Sequence, residues 1–141
     1  MIDREDMITK FIKNFVRKNR QERSFFELMN PKKRSKFYER LNHCWSDLLN
    51  MELLKQIDKD NDTQIKIPKL LGFKDDELCY SISNYRDYDD KFIPFYEVFT
   101  AVYSRGFATL LINTSADTLF LDTEQEQGPA PRFIGRISSN K

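Results

Sequence analysis

Apolar positions near the start of the chain recur at the spacing that lines one side of an α-helix. Met7, Ile8, Phe11, Ile12, Phe15 and Val16 form the stripe. Asp3 stands where a helix cap belongs, and Glu5 and Asp6 suit the positive end of the helix dipole. Lys10, Lys13, Arg17 and Arg20 fall opposite the stripe at three- and four-residue steps, so one side is apolar and the other basic.

Ser24-Phe25-Phe26-Glu27 has the form of a capping box, opening a short helical turn that ends near Asn30. Asn30-Pro31 then reads as a fresh cap with proline at the first helical position. Phe37, Leu41, Cys44, Trp45 and Leu48 make the next stripe, which predicts a helix or helix pair to about Ile57, with a break near Ser46-Asp47. Beyond it, Ile65 and Ile67 alternate with polar residues before Pro68 and Gly72, which predicts a short extended segment. Glu77–Ser83 alternates as a strand with Leu78, Tyr80 and Ile82 on one face, and Asn84–Lys91 reads as an acidic loop.

Pro94–Ser104 has strand-like composition but helical punctuation: Pro94 at the start, Glu97 in the first turn, Gly106 past the end. The punctuation favours a helix near 94–104. Phe107–Asn113 and Thr118–Thr123, joined by four polar or small residues, predict a hairpin. Arg132–Ile137 would add an edge strand before a frayed tail at 138–141. The sum is an α+β domain spanning residues 1–141: N-terminal helices (about 4–57) packed on a small, mostly antiparallel sheet from the C-terminal half. Phe11, Phe15, Leu41, Trp45, Leu48, Leu111 and Phe120 are the expected core.

Composition adds a polarity that hydrophobic pattern alone does not show. The 23 basic and 22 acidic residues nearly cancel over 141 residues, yet residues 1–40 hold 12 basic and 6 acidic side chains, net +6, leaving −5 for the rest. Two partner-binding surfaces are therefore expected. One is a basic face of Lys10, Lys13, Arg17, Arg20, Lys32, Lys33, Lys36 and Arg40, with Lys18, Arg23 and Arg34 alongside. The other is an acidic loop of Asp87, Asp89 and Asp90.

Catalytic chemistry finds little to work with. The four glycines are too scattered for a phosphate-cradling loop. His43, the single histidine, neighbours Cys44, but successive helical side chains diverge by about 100°, so no Cys–His dyad forms there. Cys44 and Cys79 read as small buried thiols. Asp58–Asp62 starts like a calcium loop but has Thr63 where glycine is required and Lys69 where a glutamate ligand belongs. Asp89-Asp90-Lys91 and the pair Asp122/Glu124 are the remaining carboxylate clusters, and would serve a metal-dependent hydrolase.

No catalytic residue, metal site or cofactor is expected. The expectation is a non-enzymatic protein-binding module, of inhibitor or immunity type, that docks an oppositely charged protein partner. Nucleic-acid binding through the basic helices is the alternative, the carboxylate hydrolase the second. Self-association by pairing the acidic loop with a second copy's basic face is a further option. No apolar run reaches the roughly 20 residues that cross a membrane, the start MIDREDMITK lacks a secretory pattern, and two cysteines suit a reducing cytoplasm.

Overall fold

In the computed structural model of the chain, residues 3–57, 63–103, 108–123 and 131–137 are described. Helix α1 (Arg4–Phe15) starts as its sequence dictates, with the Asp3 carboxylate accepting from the Asp6 amide at 2.8 Å. All six residues of its apolar stripe are buried. A 3₁₀ turn (Lys18–Arg20) leads into α2 (Gln21–Met29), and α3 runs over Arg34–Leu48. The capping box does not form, because α2 begins three residues before Ser24. Ser24 and Glu27 are instead buried inside it. Asn30-Pro31 makes a turn, with Asn30 Oδ1 accepting from the Lys32 amide at 3.1 Å, and α3 follows later than the sequence suggested. Its break falls at Cys44 (φ −136°, ψ 33°), two residues before the expected place, and leaves Cys44 exposed rather than buried.

The chain beyond Leu48 is not helical to Ile57. It makes a 3₁₀ turn at Met51–Leu53 and then strand β1 (Leu54–Gln56). Further on, α4 (Thr63–Leu71) replaces the expected extended segment. Ile67 is buried while Ile65 faces solvent, so the alternation that suggested a strand is one buried helical position and one exposed one. Gly72, at φ +79°, ends the helix with its amide bonded to the Pro68 carbonyl at 3.0 Å, a conformation that suits glycine.

Strands β2 (Leu78–Ser83), β3 (Lys91–Pro94), β4 (Thr109–Asn113), β5 (Thr118–Asp122) and β6 (Arg132–Arg136) complete the sheet, with α5 (Phe95–Val102) between β3 and β4. The order is β1-β6-β5-β4-β2-β3, antiparallel at every pairing. The architecture is therefore α+β, as expected, and α5 lies within the span its punctuation marked. The β4–β5 hairpin also forms. Its turn holds Ala116 at φ 59°, and Asn113 Oδ1 accepts from the Asp117 and Thr118 amides. β6 is not an edge, since β1 pairs with its outer side.

Both faces of the sheet are covered, which hydrophobic alternation did not reveal. Tyr80, Ile82, Leu110, Ile112, Leu119 and Leu121 face α1–α3 in one core with Phe11, Phe15, Phe37 and Leu41. Cys79, Leu111 and Phe120 face the other way, packing with Ile67 of α4 and Phe95, Val98 and Phe99 of α5. A strand buried on both faces reads as a continuous apolar run; Thr109–Ile112 and Thr118–Asp122 are buried at every position. Trp45, expected in the core, is only half-buried and lies against Phe133 with ring centres 4.9 Å apart.

Candidate functional site

The helical layer is held to the sheet by ion pairs that bridge distant parts of the sequence. Arg34, at the start of α3, is buried; its Nη2 and Nε donate to the two Asp89 oxygens at 2.9 and 3.0 Å, and its Nη1 to the Leu28 carbonyl at 2.8 Å. Arg4 binds both oxygens of Asp90 through Nε at 2.7 and 2.9 Å, and Tyr80 Oη donates to the same carboxylate. Burial by itself would lower the Arg34 pKa, but Asp89, Tyr80 and Asp90 outweigh it and the guanidinium is held more firmly protonated. Burial pushes the Tyr80 hydroxyl pKa up, keeping it a neutral donor to Asp90.

These pairs change the expected acidic surface. Asp89 and Asp90 are not a free docking loop, because they clamp the β2–β3 connection to the chain's own N-terminal helices. Asp87 alone of the three stays exposed. The same arrangement shows that the acidic loop meets this chain's own basic residues.

The basic face is divided as well. Arg40 turns inward, donating to the buried Glu27 through Nη2 at 2.6 Å and Nε at 3.2 Å, and to Ser24 Oγ at 3.1 Å. Arg17 caps the end of α3, with Nη2 on the Ser46 carbonyl at 3.0 Å and Nε on that of Leu49 at 3.1 Å. Arg20 makes a surface pair with Asp47 at 2.5 Å. Lys10, Lys13, Lys32, Lys33 and Lys36 remain exposed. Thus Arg17, Arg20 and Arg40 each bind groups of this chain's own helical layer, and all five lysines face solvent.

Two concavities open on that layer. An open groove of about 590 Å³ lies between α1 and α2, lined by Thr9, Ile12, Lys13, Lys18, Gln21, Glu22 and Phe25. Phe26, the chain neighbour of the groove-lining Phe25, is 57% exposed. A smaller cavity of about 180 Å³ is lined by Arg20, Arg23, Arg40, Cys44, Asp47 and Leu48. Lys13 and Lys18 are legible in the sequence as basic-face residues; the groove they edge is not. The nearest signal was Phe25-Phe26, two adjacent large rings whose directions diverge by about 100° on a helix.

Cys79 is buried, as expected, and burial together with Glu77 pushes its thiol pKa up. Among the described residues no group of three or more His, Cys, Asp or Glu is placed to hold a metal ion. Asp122 lies buried beside Arg132, 3.2 Å away, whose guanidinium stacks on the Tyr103 ring. Its expected partner Glu124, and the calcium-like stretch Asp58–Asp62, lie outside the described residues. No helix among the described residues is long and apolar enough to cross a membrane. No protein-family model, curated protein or solved structure matches the chain.

Proposed function

We propose that this protein is a binding module that docks an acidic, amphipathic segment of a protein partner in the groove between α1 and α2. The observation that carries the reading is the composition of that groove. The half-buried Phe25 offers apolar contact area over a floor closed by the buried Ile12, Thr9 and Gln21 offer hydrogen bonds, and Lys13 and Lys18 set a positive edge against the single Glu22. An apolar floor with a charged rim is the anatomy of a protein interface. Lys10, one turn before Lys13–Asn14, extends the positive edge along α1. Charge at such a rim steers the encounter and selects the sign of the partner, while the apolar contacts slow its release.

The test is a titration with an amphipathic helical peptide of glutamates and leucines, followed through backbone amide chemical shifts. Shifts centred on Thr9, Ile12, Gln21 and Phe25, abolished by Lys13→Glu with Lys18→Glu, are the expected result. No shifts, or shifts centred elsewhere, overturn the reading. So does tighter binding of a single-stranded DNA oligonucleotide with the steep salt dependence of phosphate contacts, which would assign the exposed lysines to nucleic acid instead.

A further inference from the structure

We infer that the smaller cavity on the helical layer is a binding site for a tetrahedral oxyanion of the phosphate class, separate from the α1–α2 groove. It is lined by Arg20, Arg23 and Arg40 from three successive helical segments, with Cys44, Asp47 and Leu48 closing it, and holds about 180 Å³. Three arginines thus line one small concavity. Each carries five N–H groups in a fixed planar fork, the geometry that matches phosphate oxygens in pairs.

The protein uses only part of that capacity. Arg23 donates through Nε to Glu27 at 3.0 Å, and its two terminal nitrogens have no partner among the described residues. Arg40 spends Nε and Nη2 on Glu27 and Ser24, leaving Nη1. Arg20 spends Nη2 on Asp47, leaving Nε and Nη1. Glu27, with a side chain 4% exposed, acts as the buried anchor of Arg23 and Arg40. It fixes the two forks before any ligand arrives, so little side-chain freedom is lost on binding. Three guanidinium groups against the Glu27 and Asp47 carboxylates leave one net positive charge at the cavity.

A phosphate ion and a phosphomonoester on a small molecule or a peptide present the same oxygens, and the cavity's chemistry does not separate them. The exposed Cys44 thiol in its wall supplies the readout, because Cys79 is buried and does not compete for reagent. Alkylation by neutral iodoacetamide is timed in inorganic phosphate, in O-phosphoserine and in chloride at equal ionic strength. If phosphate binds with a Kd on the order of 1 mM, about 10 mM slows Cys44 alkylation roughly tenfold by occupancy. Arg23→Gln, a change at a largely exposed side chain, should remove the protection while leaving the thermal midpoint within about 2 °C of the parent. Protection by phosphate and O-phosphoserine alike supports a free-ion site, and stronger protection by the ester supports a phosphorylated ligand. Equal rates in phosphate, O-phosphoserine and chloride overturn the proposal, as does protection that survives Arg23→Gln in the folded variant.

Discussion

Replacing Arg34 with methionine tests whether the Asp89 loop is an internal clamp. The Arg34 side chain is 4% exposed and that of Asp89 14% exposed. The substitution keeps the aliphatic stem but removes the charge that neutralises Asp89. Removing one partner from a buried ion pair typically costs about 3–5 kcal/mol, because the remaining charge stays buried without compensation. Two features place this case near the lower figure. The Leu28 carbonyl keeps a donor in Arg4 Nη2 at 2.9 Å, and Asp89 Oδ1 still accepts from the Ser83 amide at 3.0 Å. About 3 kcal/mol corresponds to a fall of roughly 10 °C in the thermal midpoint for a chain of this size. Asp89→Asn in the same background should recover part of the loss, giving a coupling of about 2 kcal/mol in a double-mutant cycle read by urea unfolding. Raising the salt should change that coupling little, since buried pairs are weakly screened. A loss below about 1 kcal/mol, or two single effects that simply add, would refute the clamp.

Other perturbations follow from the same structure. Burial raises the Tyr80 pKa, so the folded chain keeps a proton that the unfolded chain releases near pH 10; the stability this confers is complete below that pH and declines as the pH rises above it. Tyr80→Phe should flatten that alkaline decline in a series of melts from pH 8 upward; an unchanged slope would show that another group is responsible. A Cβ at Gly135 would sit 2.6 Å from Leu54 Cδ2 and 3.1 Å from Leu119 Cγ, so Gly135→Ala should destabilise by about 1–3 kcal/mol through overpacking. Gly72→Ala meets no atom within 4 Å but keeps the positive φ, so its cost should be conformational, about 1 kcal/mol by chemical denaturation. Phe37→Ala, at a fully buried ring, should cost about 3–5 kcal/mol, whereas the half-buried Trp45 should cost clearly less on truncation; equal losses would contradict their different burial.

What could be read from the sequence was local. The α1 stripe, its Asp3 cap, the β4–β5 hairpin and α5 are each specified by residues within about one or two turns of one another, and each forms. Strands β1 and β3 are three and four residues long, too short for periodicity to register, and exist because β6 and β2 supply their hydrogen bonds. Helix α4 was obscured because Pro68 argues locally against a helix, while burial of Ile67 against Phe95 and Phe99 is a tertiary reward. The charged residues were the least legible. Lys33 and Arg34 are adjacent cations at the start of α3, yet one is solvated and the other buried. What separates them is Asp89, 55 residues further on, whose position depends on the sheet. The groove lies beyond sequence reading for the same reason: it is defined by how α2 turns back along α1.

The docking claim is tested most directly by placing a photo-crosslinking benzoylphenylalanine at Phe26, the exposed neighbour of the groove-lining Phe25, in the full chain inside producing cells. The control position is Ile65, 67% exposed on α4 across the sheet. The expected result is a discrete protein adduct from Phe26 that resists nuclease, is absent from Ile65 and disappears when Lys13→Glu and Lys18→Glu are introduced. No adduct from Phe26, an adduct removed by nuclease, or one that persists after charge reversal would contradict it.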